Sequence, residues 1–268
     1  MIDSIKKVFL LSFKTVGENI LVYVFPIIIF AVIISLGFFY SIELMSKEFL
    51  PVLINLDKSP DFPVEKLVLF FFYNSFIIFL FLFIIGVFNL YIVSLTGILL
   101  TKSHDDPYEA IGVTMKNLFS YFLLSILTSI LTSFGFTFLF IPGIVLSVYF
   151  SMLAASLVIG NKGFGAMSDC FDVLKNRKFQ TGVVYFLILC AFQIVGILIS
   201  LSLDGEIIRK EILLIIQNES DPAKMIELIF NSFKFQSFLF VACFVMGIYQ
   251  AAFGISSGIM YVIYKHER

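Results

Sequence analysis

Hydrophobic positions in this chain do not alternate with polar ones; they come in long uncharged runs. Ile20–Ile42 is 23 residues between Glu18 and Glu43. A helix rises about 1.5 Å per residue, so roughly 20 apolar residues cross a ~30 Å hydrocarbon core. This run predicts one crossing. Leu67–Leu100 is 34 residues, more than one crossing needs and too few for two passes with a turn. It predicts a single helix that is tilted, kinked or projecting.

Leu118–Gly160 is 43 uncharged residues with Pro142-Gly143 near its middle. Its helical length, about 65 Å, is roughly two crossings. Proline removes an amide donor and disfavours helix in the residue before it, and glycine relieves the backbone. The run therefore divides into 118–140 and 144–160, with a tight turn at Pro142-Gly143. Thr181–Leu203 and Gln236–Tyr264 supply the fifth and sixth spans. The fold class predicted is an all-α integral membrane protein, one polytopic domain over residues 1–268. Its six transmembrane helices lie at about 20–42, 67–100, 118–140, 144–160, 181–203 and 236–264.

Charge supports this division. None of the six spans contains Asp, Glu, Lys or Arg, although the chain has 18 basic and 19 acidic residues. A charge in lipid is expensive, so this segregation is what six crossings require. The first span is too long in its core for a cleaved signal peptide and reads as a retained anchor. Composition agrees: 60% of residues are hydrophobic, 14% are charged, and mean hydropathy is +1.03. A soluble domain is nearer 25% charged. That excludes a soluble enzyme, a disordered segment and a disulfide-built secreted domain. Net charge is −1, so no field of one sign would recruit nucleic acid. The 35 Phe and absent Trp read as coding bias or as lipid-facing aromatics.

Six passes put both termini on one side. The segments on that side carry 11 basic residues, among them Lys6, Lys7, Lys14, Lys116, Arg177 and Lys178, and the other side carries 7. The excess predicts cytoplasmic termini. The loops on that side are patterned. Residues 4–16 place Ile5, Val8, Phe9, Phe13 and Val16 on one helical face. Residues 164–178 do the same with Phe164, Met167, Phe171 and Leu174, with Asp169, Asp172 and Asn176 turned away. Asp106-Pro107 predicts a short helix over 107–117. Together they suggest a weak repeat of surface helix plus membrane hairpin. Such helices either cover the bundle ends or dock lipid headgroups or a partner. In the second outer loop, 204–235, two short amphipathic helices are expected, as packing cover or as a lid.

Candidate chemistry is sparse. His104 and His266 lack ligand partners at helical spacing, and Cys170, Cys190 and Cys243 lie far apart in sequence. No metal cluster or phosphate cradle stands out, so no catalytic residue, cofactor or metal is predicted. No ionisable group lies inside the spans, which argues against proton coupling through a buried carboxylate. Neutral polarity remains: Asn74, Asn89, Gln193, Gln250 and the ladder Ser125, Ser129, Ser133 with Thr128 and Thr132. These residues either line a polar cavity or make hydrogen bonds within and between helices. Gly254 and Gly258 form a GxxxG element that Gly247 and Ala251 extend. Packing inside the bundle and a homodimer seam are its two readings.

The string from Phe138 through Phe186, with Pro142-Gly143 at the turn and Ala166-Met167 and Asp169 at the short helix, resembles a broad group of bacterial multipass proteins. That group includes the YciC-like family, DUF975-type proteins and the membrane domain ahead of some glycerophosphodiester phosphodiesterases. The resemblance implies a bacterial inner-membrane protein of mostly unknown role. No phosphodiesterase domain accompanies it, so hydrolysis is not carried over. Two functions follow as expectations. One is a structural or accessory envelope role with the lipid bilayer and a homodimer or membrane-protein partner; the other is a transporter or ABC-type permease component for a neutral or amphipathic solute.

Overall fold

The computed structural model describes residues 2–44, 64–101, 107–138, 140–202 and 232–267, together with 213–215, 217, 224–225 and 228–229. Among these residues the chain is almost entirely helical and has no strand. In chain order the helices are α1 (Ile2–Glu18), α2 (Ile20–Leu44), α3 (Val64–Thr101), α4 (Pro107–Phe138), α5 (Phe140–Phe150), α6 (Leu153–Val158), α7 (Ala166–Leu174), α8 (Lys178–Ser202) and α9 (Phe233–His266), with a 3-10 turn at Gly163–Gly165. Among the described residues, six helical segments are long and apolar enough to cross a membrane: Ile20–Leu44, Val68–Thr101, Tyr108–Thr137, Ile141–Val158, Lys178–Leu198 and Phe235–His266. The protein is an all-α multipass membrane protein. The amphipathic helices expected within 204–235, and His104, lie outside the described residues apart from scattered positions.

The distribution of side chains is the reverse of that in a soluble bundle. Leu21 is 80% exposed and Phe119 70%, while Ser94, Thr96, Ser156 and Thr181 are fully buried. In water such an apolar surface would aggregate. In lipid the outward Leu and Phe are solvated, and the hydroxyls find partners inside.

Contacts group the chain into two compact units. The first comprises Met1–Ile27, Ile85–Ala191 and Ile248–Arg268; the second comprises Ile28–Ile84 and Phe192–Gly247. In the second, Phe38 stacks on Phe81 with ring centroids 4.6 Å apart, and Gly37 leaves room for that ring. The first contains most of the buried polar residues. There Tyr23 Oη and Thr96 Oγ1 hydrogen-bond at 3.0 Å, and Thr114 Oγ1 donates to Ser94 Oγ at 3.1 Å. Those bonds tie α2 to α3 and α3 to α4.

Several expectations shift. The second span is a single long helix, α3. The hairpin turn falls earlier than Pro142-Gly143: α4 ends at Phe138 and α5 starts at Phe140, so Pro142 is the third residue of α5. A proline there removes an amide that has no intrahelical acceptor in any case. Gly143 serves close approach instead. A Cβ at Gly135 would fall 2.9 Å from the Gly143 Cα, and one on Gly143 would collide with the Phe136 ring. The helix expected over 107–117 does not stop before the span. It continues without a break as α4, because nothing in Met115-Lys116-Asn117 interrupts a helix.

The surface-helix faces also rotate. On α1, Val8 and Thr15 are buried but Phe13 is 75% exposed. On α7, Ala166, Cys170, Val173 and Leu174 are buried, while Phe171, and Phe164 in the preceding 3-10 turn, are exposed. Lipid accepts the large aromatics, so the helix presents its small face to the bundle. Phe171 packs across Tyr149 and Phe150 of α5.

Candidate functional site

The predicted span 144–160 is broken. Residues Ser151 and Met152 separate α5 from α6, and Met152 sits at φ −95°, ψ 7°, outside the helical region. Irregular backbone at membrane depth persists where protein or a cavity covers it. Both conditions hold here. The Ser151 carbonyl accepts a hydrogen bond from Ser257 Oγ of α9 at 3.1 Å. Beside the break lies a cavity of about 220 Å³ walled by Asn89 of α3, Tyr121, Ser125, Thr128 and Ser129 of α4, Ser151, and Phe253 of α9 among others.

The cavity residues of α4 lie well inside its uncharged run. Ser125 and Ser129 are about 10–16 Å into the uncharged run that starts at Leu118, near the middle of a ~30 Å core. The polar wall of the cavity is neutral: hydroxyls and one carboxamide. Asn89 Oδ1 is buried and accepts no hydrogen bond among the described residues. Ser129 is exposed at the outer wall and Ser125 is half-buried. Thr128 Oγ1 instead donates back to the Ser125 carbonyl at 3.1 Å. The stack of Tyr185 on Phe253, centroids 4.3 Å apart, holds Phe253 in place.

Four of the polar residues singled out by sequence, Asn89, Ser125, Thr128 and Ser129, therefore meet at one cavity. Asn74, Gln193 and Gln250 do not. Asn74 and Gln193 belong to the second unit, where Gln193 is exposed, and Gln250 is half-buried outside the cavity wall. Sequence reasoning missed Ser151, Tyr121 and Phe253. A Ser-Met pair inside an apolar run gives no local sign of a helix break.

The glycine element packs against α3, with Gly254 beside the cavity residue Asn89. A Cβ on Gly254 would come 3.0 Å from Ile92 Cγ2 and 3.1 Å from Asn89 Oδ1; one on Gly258 would come 3.2 Å from Thr96 Cγ2. Ala251 is buried in the same unit. Gly247 is buried in the second unit. The face of Gly254 and Gly258 is taken up by α3 of the same chain.

A second polar cluster lies at the charged end. Asp169 Oδ2 accepts from Tyr261 Oη at 2.6 Å and from Ser156 Oγ at 2.7 Å, and Lys162 Nζ stands 3.9 Å from Oδ1. The chain reaches this geometry through a sharp reversal after α6. The amides of Gly160 and Lys162 bond back to the carbonyls of Ala155 and Ser156, and Asn161 and Gly163 take φ of 50° and 52°. Asn and Gly are the residues that enter this left-handed region readily. Gly160 has no room for a Cβ, which would overlap the Tyr261 hydroxyl. The carboxylate expected to face away thus turns inward. Its neighbour Cys170 is fully buried, and burial, with the Asp169 charge beside it, pushes the thiol up to about 12.

Compared with protein-family models, with curated proteins and with solved structures, the chain matches none.

Nearby, Arg177 Nη1 pairs with Glu267 Oε2 at 2.9 Å and lies over the Tyr264 ring, while Lys7 Nζ reaches Glu267 Oε1 at 3.5 Å. The N-terminal helix and the C-terminal end of α9 therefore meet. His266 Nδ1 is 2.8 Å from the Val262 carbonyl of its own helix. Among the described residues no group of three or more His, Cys, Asp or Glu is placed to hold a metal.

Proposed function

We propose that this protein binds a small neutral polar molecule, or the neutral polar group of a lipid-like one, within its bundle, in an accessory role in a bacterial cell membrane. The observation that carries the reading is Asn89. Its residue lines the cavity together with the hydroxyl side chains of Tyr121, Ser125, Thr128, Ser129 and Ser151 and with Phe150, Leu153, Ala154 and Phe253, and its carbonyl oxygen, buried beside Gly254, has no partner among the described residues. An unsatisfied buried acceptor costs about 1–3 kcal/mol, and a donor-bearing ligand would recover that. The lining has no charge, so it favours a neutral ligand over an ion. The volume is below the range usual for drug-sized ligands, so the group held is small. The excess of Lys and Arg on the terminal side supports cytoplasmic termini. The proposal contains no catalytic step.

The test is to purify the full chain in mild detergent and identify retained small molecules by mass spectrometry, for wild type and Asn89→Leu. A neutral hydroxyl- or amide-bearing compound enriched in the wild type supports the proposal. Identical small-molecule profiles for the two would overturn it.

A transporter or permease component is the second reading, and the helix break favours it. Broken helices near the membrane midplane form the binding sites of many carriers. Uptake of the retained compound into proteoliposomes separates the two: flux supports carriage, and binding without flux supports the accessory role.

A further inference from the structure

We infer that the outward face of α1 is a binding surface for anionic phospholipid headgroups, a site separate from the intramembrane cavity. Helix α1 ends one residue before α2, the first span, so it stands at the membrane boundary. Its inward face holds the buried Val8 and Thr15. The opposite face carries Lys6, Lys7 and Lys14 around a shallow groove floored by Leu10 and Leu11 and bordered by Asp3. Leu10 is 60% exposed and Phe13, beside Lys6 and Lys14 on the same face, is 75% exposed.

Charge identifies the occupant. Lys6 has no partner among the described residues. Lys14 is 3.9 Å from Glu18, both well exposed, and Lys7 is 3.5 Å from a Glu267 already held by Arg177 at 2.9 Å. Such long, exposed pairs are weak and exchange readily. The groove itself is lined by three ammonium groups and one carboxylate, Asp3, with Glu18 and Glu267 alongside it. Apolar side chains that are exposed among the lysines match a ligand with a phosphate and an acyl chain, and not a free anion. Basic helices with an apolar stripe bind membrane surfaces in this way.

The test uses the full chain in mild detergent, with native mass spectrometry counting the phospholipids retained after titration with phosphatidylcholine or phosphatidylglycerol. Each lysine near an anionic surface is worth about fivefold in affinity. Wild type is expected to hold phosphatidylglycerol in preference to phosphatidylcholine. Lys6→Gln/Lys14→Gln is expected to lose about 25-fold of that preference, with an unchanged melting temperature. The control pair Lys162→Gln/Lys265→Gln, off α1, is expected to keep the preference. Equal retention of the two lipids by wild type, or full preference in the α1 double variant, would overturn the inference. Cavity binding is read on a neutral compound with Asn89→Leu, so either site can fail without the other.

Discussion

The Tyr261 hydroxyl donates to Asp169 Oδ2 at 2.6 Å across 92 residues of sequence, and Ser156 Oγ donates to the same oxygen at 2.7 Å. One carboxylate thereby joins α6, α7 and α9. Hydrogen bonds to a charged group contribute about 1.5–3 kcal/mol each. Tyr261→Phe is expected to lower the melting temperature in detergent by the loss of one such bond. Asp169→Ala is expected to be worse than Tyr261→Phe or Ser156→Ala, because it orphans two buried donors together. Thermal unfolding of the three variants checks the order.

Gly258→Leu places a large side chain against Thr96, and Gly254→Leu places one against Ile92 and Asn89. Overpacking a tight interface costs about 1–3 kcal/mol or more. The expected result is loss of the folded monomer peak in size-exclusion chromatography. A homodimer seam would instead give a folded monomer with a missing dimer.

Cys170 is buried, and its thiol is pushed up to about 12 from an ordinary 9.0. Thiolate is the reactive form, so alkylation of folded protein at pH 8 is expected to spare Cys170, and unfolding in dodecyl sulfate to expose it. A raised folded-state value means that the thiol's contribution to stability is complete below pH 9 and is lost as pH rises from 9 towards 12. Peptide mapping of alkylated cysteines, with melting curves across that window, reads both effects.

Asn89→Leu replaces a half-buried carboxamide, whose buried oxygen has no partner among the described residues, with a hydrocarbon of similar size. The ligand-free variant is expected to melt above the wild type, by an increment corresponding to about 1–3 kcal/mol. Stabilisation by the compound that copurifies with the wild type is expected to disappear. Differential scanning with and without that compound checks both.

Much of the bundle is legible in the sequence because lipid imposes a coarse rule: no charge in a crossing. That rule locates the apolar runs, and the 43-residue length of the third calls for the two span-length helices the structure has, although they part before Pro142-Gly143. Finer features depend on tertiary contacts. Hydrophobicity alone assigns Phe13, Phe164 and Phe171 inward, but a lipid solvent removes the difference between inside and outside for phenylalanine. The small residues Ala166, Cys170 and Val173 take the inward face instead. Asp169 turns in because Tyr261 and Ser156 are there to receive it, and no local pattern announces partners that far away. At the cavity, the four-residue spacing of Ser125 and Ser129 is visible in the sequence. The break at Ser151 that gives it a floor is not.

The six crossings are tested most directly by single cysteines in a chain lacking Cys170, Cys190 and Cys243, labelled in intact cells with a membrane-impermeant maleimide. Cysteines substituted for Lys14, Lys116 and Lys175 are expected to be protected until the membrane is opened. Those substituted for Lys58 and Lys210 are expected to react at once. Labelling of all five positions from outside, or of none, would contradict the threading on which the cavity, the sidedness and the headgroup surface all depend.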